Sequence, residues 1–196
     1  MIKKFRIYYF ICTLAFVVFA STIGISQKNL RISIFNEATT LPSSNILHFP
    51  IHPGFSIGTD IWIKSGKHWH RSIGAEASFF HHRLSENALM IDATYAIGYK
   101  FKFGLQPKLL TSIGYKQSFA AGEIYEIANG DYISTNPAQK SQINVKVGYG
   151  VEYSLNERLS LVADYRIMVA SPFSELLPFM LHNFFSLGVK VNFTKL

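Results

Sequence analysis

The feature that most limits what this chain can become is an alternation of apolar and polar residues with a period of two, repeated along nearly its whole length. From Leu89 to Phe103 the odd positions read Leu89, Ile91, Ala93, Tyr95, Ile97, Tyr99, Phe101 and Phe103, while the even ones carry Met90, Asp92, Thr94, Ala96, Gly98, Lys100 and Lys102. Successive side chains of a strand point to opposite faces, so this run describes a strand with one apolar and one polar face. Similar runs span Leu30–Ile34, Phe55–Lys64, Arg71–His82, Leu109–Lys116, Ile143–Tyr153, Leu159–Ile167 and Phe185–Phe193, and no window shows sustained helical spacing. Connections 35–54, 117–142 and 168–184 are long, 83–88 is shorter, and 65–70, 104–108 and 154–157 are brief turns. Eight strands with long loops at one end and short turns at the other have the rhythm of an antiparallel barrel.

The residues ahead of the first strand have a different character. Lys3, Lys4 and Arg6 precede a 14-residue apolar run from Ile7 to Ala20, followed by the small residues Ser21, Gly24 and Ser26. A helix needs ~20 apolar residues to span a bilayer, so this segment has the form of a secretory signal peptide. The expected division is a leader at 1–26 and a barrel domain at 27–196. Cys12, the only cysteine, falls in the leader, so no disulfide is expected in the mature chain. The leader holds three cations and no Asp or Glu, so its removal lowers the formal net charge from +7 to +4. Nucleic acid is therefore not an expected partner.

Eight alternating strands fit either a soluble barrel with its apolar face inside or a membrane barrel with that face outside. The polar face decides between them. It carries Gly58, Gly74, Gly98, Gly114, Gly148, Gly150 and Gly188, small residues that water does not require but a crowded eight-stranded lumen does. Only 16% of the chain is charged, against roughly 25% in soluble domains. Arg31, Asp60, Glu76, Asp92, Lys116, Lys146, Glu152, Asp164, Arg166 and Lys190 share the polar face with Lys64, Lys100 and Lys102. Enclosed charges need partners, so a lumenal ion-pair network is expected, with Trp62 serving packing. Phe101, Phe103, Tyr153 and Phe193 lie near the ends of runs, where an aromatic girdle meets the membrane interface. The expected fold is all-β, an eight-stranded antiparallel transmembrane β-barrel with a plugged polar lumen. A broad porin is excluded because water-filled channels need about 16 strands.

Near the C-terminus, Ser186, Gly188, Val191 and Phe193 occupy the defined positions of a pattern that resembles the assembly signal of outer-membrane β-barrels, although Thr194, Lys195 and Leu196 follow the aromatic residue. With this signal the chain resembles the small OmpA/OmpX-like and outer-membrane-protein β-barrel-domain families of Gram-negative bacteria. His52-Pro53-Gly54 is similar to the corresponding segment of barrels from Bacteroidetes. The resemblance implies an outer-membrane location, with outer-membrane lipid and the barrel assembly machinery as partners. These families share an architecture without sharing an activity.

Candidate chemistry is sparse. His68 and His70 are separated from His81 and His82 by a strand that advances ~40 Å between His70 and His82, at ~3.3 Å per residue. The two pairs are thus expected at opposite rims, facing water or headgroups, with no metal site because neither pair has a third ligand at fixed spacing. His81, His82, Ser85 and Glu86 bring together the residue types of a lipid A hydrolase, yet the His-x-Ser-Asn signature of lipid A deacylases is absent, and no catalytic residues are expected. Phe173, Leu177, Phe179 and Met180 make the segment 172–184 unusually apolar, either as an extension of the lipid-facing wall or as a seat for a small hydrophobic ligand. Glu123, Glu126 and Asp131 give the longest loop an acidic character. No phosphate loop or dinucleotide fingerprint appears, and no cofactor is expected. The expected role is structural or one of surface interaction with another protein. The alternatives are a binder or conduit for a small hydrophobic solute and a lipid A-modifying hydrolase.

Overall fold

In the computed structural model of the 196-residue chain, residues 29–39, 51–83, 85–121, 124–128, 131–135, 139–172 and 178–193 are described. The expected leader, Phe173, Leu177, Glu123 and the last three residues lie outside this set, as do the side chains of Glu126 and Asp131. Ten strands form: β1 (Asn29–Ala38), β2 (His52–Ser65), β3 (Trp69–His81), β4 (Glu86–Tyr99), β5 (Leu105–Ala120), β6 (Ile124–Ala128), β7 (Asp131–Thr135), β8 (Gln139–Ser154), β9 (Leu159–Ser171) and β10 (Met180–Asn192). Eight of them close an antiparallel barrel in the order β1-β10-β9-β8-β5-β4-β3-β2. β6 and β7 form a separate hairpin within the longest connection, where the alternation predicts no strand.

The strands outrun their sequence-based limits at the long-loop rim, where β1 reaches Ala38, β5 reaches Ala120, β8 begins at Gln139 and β10 begins at Met180. At 13 to 16 residues, every barrel strand but β1 exceeds the 9–11 residues that cross a bilayer. Both chain ends of the barrel, at Asn29 and Asn192, lie at the rim that carries the short turns.

The outward face is a continuous apolar wall. Ile34, Leu109, Ile113, Ile143 and Tyr149 are all exposed, as are Ile57, Ile91, Val147, Leu161 and Leu187. A soluble barrel would have buried this stripe. Inward positions are occupied by Ser, Gly and ionic groups whose register shows how they fit. Gly58 stands opposite both Arg31 and Glu76, Gly114 opposite Asp92, Gly148 opposite Arg166 and Gly150 opposite Asp164. A charged side chain must lie across its neighbouring strand to reach the centre. A Cβ on Gly148 would run into the Tyr165 carbonyl and the Arg166 Cα, so the large residue and the glycine are one packing unit.

Four sequence expectations are corrected. β4 ends at Tyr99, and Lys100, Phe101, Lys102 and Phe103 form a turn closed by Gly104 at φ +90°, a conformation that glycine adopts without strain. Lys100 and Lys102 are therefore exposed rather than lumenal, whereas Lys108, read as a turn residue, lies on β5 and pairs with Glu152. A β-bulge between Asp60 and Trp62 inserts Ile61 and reverses the alternation. Trp62 then faces outward, Ile63 turns inward opposite Ser72, and Lys64 is exposed opposite Arg71.

Finally, the lumen is not polar throughout. Phe35, Phe80, Ala88, Met90, Met168, Ala170 and Phe184 form a buried apolar layer toward the loop rim. Phe184 meets Phe35 and Phe80 edge-on, with centroids 5.4 and 5.9 Å away.

The expected girdle is present at the turn rim. Trp69, Tyr99, Phe101 and Phe103 contact in sequence at centroid distances of 5.6, 5.0 and 5.4 Å, while Tyr153 and Phe193 are exposed on the same rim.

Candidate functional site

Of the thirteen charges that the sequence places on the polar face, ten project into the barrel and Lys64, Lys100 and Lys102 do not, and the closure of the sheet sorts the ten into layers. Nearest the turn rim, Lys190 lies 3.0 Å from Asp60 and 3.4 Å from Glu152, which also pairs with Lys108. Asn29 donates to Asp60 at 2.9 Å. In the middle, Arg166 donates to Glu76 at 2.9 Å and to Asp164 at 2.8 Å, and Arg31 pairs with the same Glu76. Beside them Lys146 lies 2.6 Å from Asp92. Lys146 also sits 5.4 Å from the centre of the Phe184 ring, where the ionic layer meets the aromatic one.

Among the described residues these layers leave small cavities within the lumen. A cavity of about 30 Å³ remains beside Arg31, Asp60, Lys108 and Lys190, and one of about 10 Å³ beside Glu76, Lys146 and Phe184. Such volumes hold on the order of two waters and one water.

A fourth layer caps the loop rim, and the sequence reading did not assemble it. Glu37 from the end of β1, His52 from the start of β2, His82 just after β3, Glu86 from the start of β4, Lys116 from β5 and His182 from β10 are all buried. Lys116 Nζ pairs with Glu86 and lies 3.2 Å from His182 Nε2, while His182 Nδ1 lies 2.7 Å from Glu37 Oε1. The His52 and His82 rings stack with centroids 3.6 Å apart. Burial, and then the neighbouring His52, hold the His82 imidazole below its ordinary pKa.

The four histidines singled out in the sequence thus divide differently from the expectation. His68, in the turn, stacks on Tyr99, and His81 is exposed with Nδ1 2.6 Å from Asn87 Oδ1. His70 and His82 are not rim groups facing solvent; they are buried at the two ends of the lumen. The carboxylate missing from the sequence spacing around His82 is supplied by Glu37, 45 positions upstream. One signal could have found it: Glu37, His52 and His182 each continue the inward parity of their strands beyond the ends assigned from the sequence.

Of the residues of the lipid A hydrolase set, His82 and Glu86 are both buried in this layer. Glu86 turns inward to Lys116 and His182, whereas His81 faces out to Asn87. Of the apolar segment, Phe179 is exposed and Met180 opens β10 opposite Ala170. On the outer wall nearby, Ile34, Ile51, Pro53, Phe185 and Leu187 edge a shallow apolar groove of about 320 Å³. Of the assembly-signal residues, Ser186 and Gly188 face the lumen, and Phe193 is exposed at the turn rim.

Closure, an apolar outer wall and an ionic interior together define an eight-stranded barrel of the membrane type. The fold is shared with solved outer-membrane barrels. The attachment invasion locus protein Ail of Yersinia pestis superimposes with a TM-score of 0.52 over 85% of this chain and 99% of its own, at 12% identity. The outer-membrane enzyme PagL gives 0.50 over 84% of this chain and 99% of its own, at 8% identity. The N-terminal β-barrel domain of Pseudomonas aeruginosa OprF gives 0.46 over 85% and 98%, at 17% identity. No family model matches the sequence, and no curated protein matches it. At these identities the likeness is one of fold.

Proposed function

We propose that the protein is an outer-membrane β-barrel of the OmpA/OmpX-like kind with a structural or surface-interaction role, and that it does not act as a pore or an enzyme. The observation that carries this reading is the filled lumen beneath an exposed apolar wall. The Arg31–Glu76–Arg166–Asp164 cluster and the Phe35–Phe80–Phe184 layer occupy the axis in succession, so the barrel offers a rigid support for its loops rather than a path. Glu86 is committed to Lys116 and His182, which argues against its use as a catalytic acid toward lipid. The outer groove beside Ile34 and Leu187 opens onto the apolar wall, where acyl chains fill it without a dedicated ligand.

Two measurements on the expressed chain test this. Isolated outer membranes should contain the protein in a form whose gel mobility changes on heating. Vesicles reconstituted with it should retain a solute of glucose size. Recovery as a freely soluble periplasmic protein would overturn the location, and rapid solute leakage would overturn the plugged lumen.

A further inference from the structure

We propose that Glu37, His52 and His82 form a binding site for a divalent transition-metal ion at the loop rim of the lumen, with Zn²⁺ the best match to the donors. This goes beyond the structural role above and does not depend on it.

One ligand atom from each of the three residues lies within 4.8 Å of the others, and all three residues are buried. At Glu37 and His52 the hydrogen bonds leave one buried polar atom of each side chain without a partner among the described residues. His52 Nδ1 lies 3.2 Å from the Glu37 backbone carbonyl, which fixes its proton there and leaves Nε2 as a lone pair. That Nε2 is buried without a hydrogen-bond partner among the described residues. Glu37 is oriented in the same way. Its Oε1 accepts from His182 Nδ1, while its Oε2 is buried and has no hydrogen-bond partner among the described residues. His182 is in turn held through Nε2 by Lys116. A carboxylate with one oxygen fixed by an imidazole and the other buried 3.7 Å from the His52 ring has the outer support typical of a metal ligand.

Charge leads to the same conclusion. Lys116 is paired with Glu86, so Glu37 shares that cation instead of having one of its own. A buried carboxylate that is not fully compensated costs several kcal/mol by order of magnitude, and a divalent cation removes that cost. Two imidazoles and one carboxylate, with a fourth position for water, suit Zn²⁺. Bonds of ~2.0–2.1 Å at tetrahedral angles separate ligand atoms by roughly 3.3 Å, a contraction within reach of side-chain rotations. Because the ligands come from β1, β2 and the end of β3, the ion would tie three neighbouring strands together at the mouth of the barrel.

The test is titration of the tag-free, detergent-folded chain with Co²⁺ and Zn²⁺. One saturable equivalent per chain is expected, with the intense visible absorption of four-coordinate Co²⁺, which Zn²⁺ abolishes. Glu37→Gln, His52→Ala and His82→Ala should each weaken binding more than about 100-fold, and His182→Gln about 10- to 100-fold. The exposed neighbour His81→Ala should leave affinity unchanged. Heat-dependent gel mobility reports folding of each variant, and His52→Gln replaces His52→Ala should the latter not fold. Absence of a saturable equivalent in the folded wild type would overturn the proposal. So would binding that survives both His52→Ala and His82→Ala.

Discussion

Arg166 reaches across the lumen to Glu76, Nη1 to Oε1 at 2.9 Å, although the two residues stand 90 positions apart. Glu76 also binds Arg31, and Arg166 also binds Asp164, so each carboxylate is shared between two guanidinium groups. Glu76 thus pairs with charges on two strands beyond its own, β1 and β9.

Glu76→Gln should therefore cost about 3–5 kcal/mol of stability, because it leaves two buried guanidinium groups to the single carboxylate of Asp164. Combining Glu76→Gln with Arg166→Met should recover part of that loss. Urea unfolding in lipid vesicles measures both, and a single variant as stable as the parent would show that the cluster contributes nothing.

Gly148→Val should destabilise the barrel by about 1–3 kcal/mol or prevent its closure, since the added carbons meet the backbone of Tyr165 and Arg166. Val147→Leu, one residue away on the lipid side, should fold like the parent. Comparing heat-dependent mobility and urea midpoints of the two variants tests whether crowding is confined to the inner face.

On the outer wall the sign of a charge matters less than its depth. Val147→Arg should cost about 2–4 kcal/mol if Val147 lies near the bilayer midplane. A spin label at Val147 or Ile97 should be quenched by lipid-soluble oxygen and protected from an aqueous reagent. Ready access of the aqueous reagent would contradict a hydrocarbon-facing wall.

The stacked His52–His82 pair predicts a pH response. His82 is held below its ordinary pKa of about 6.5, so the unfolded chain takes up a proton before the folded one does. Its contribution is fully present above about pH 6.5 and is lost as pH falls toward the lower folded pKa. His52 faces it in the stack, and Glu37, Glu86 and His81 are further ionisable neighbours. His82→Asn should flatten the stability profile below about pH 6.5, and an unaltered slope would place the response elsewhere.

Much of the fold was legible because strand parity is a local property. The alternation in 89–99 marks the two faces of β4 without reference to any other strand, and the glycines on the polar side identify which face is crowded. The bulge at Ile61 was not legible, since an extra residue in one strand shows only against its partner β3. Phe80 and Phe184 were likewise unexpected: each follows the inward parity of its strand, but a lumen that tapers from ionic to aromatic becomes visible only when all eight strands are aligned.

The sequence by itself determined the class of structure, the leader-like N-terminal run and the side of the wall on which most residues fall. Tertiary structure alone decided which charges meet and that Glu37, His52, His82 and His182 converge. The reason is geometric: sliding a strand by two residues preserves every inward and outward assignment while changing every cross-strand partner. Only the closed hydrogen-bonded ladder, from Asn29 opposite Asn192 to Glu37 opposite His52, fixes that register.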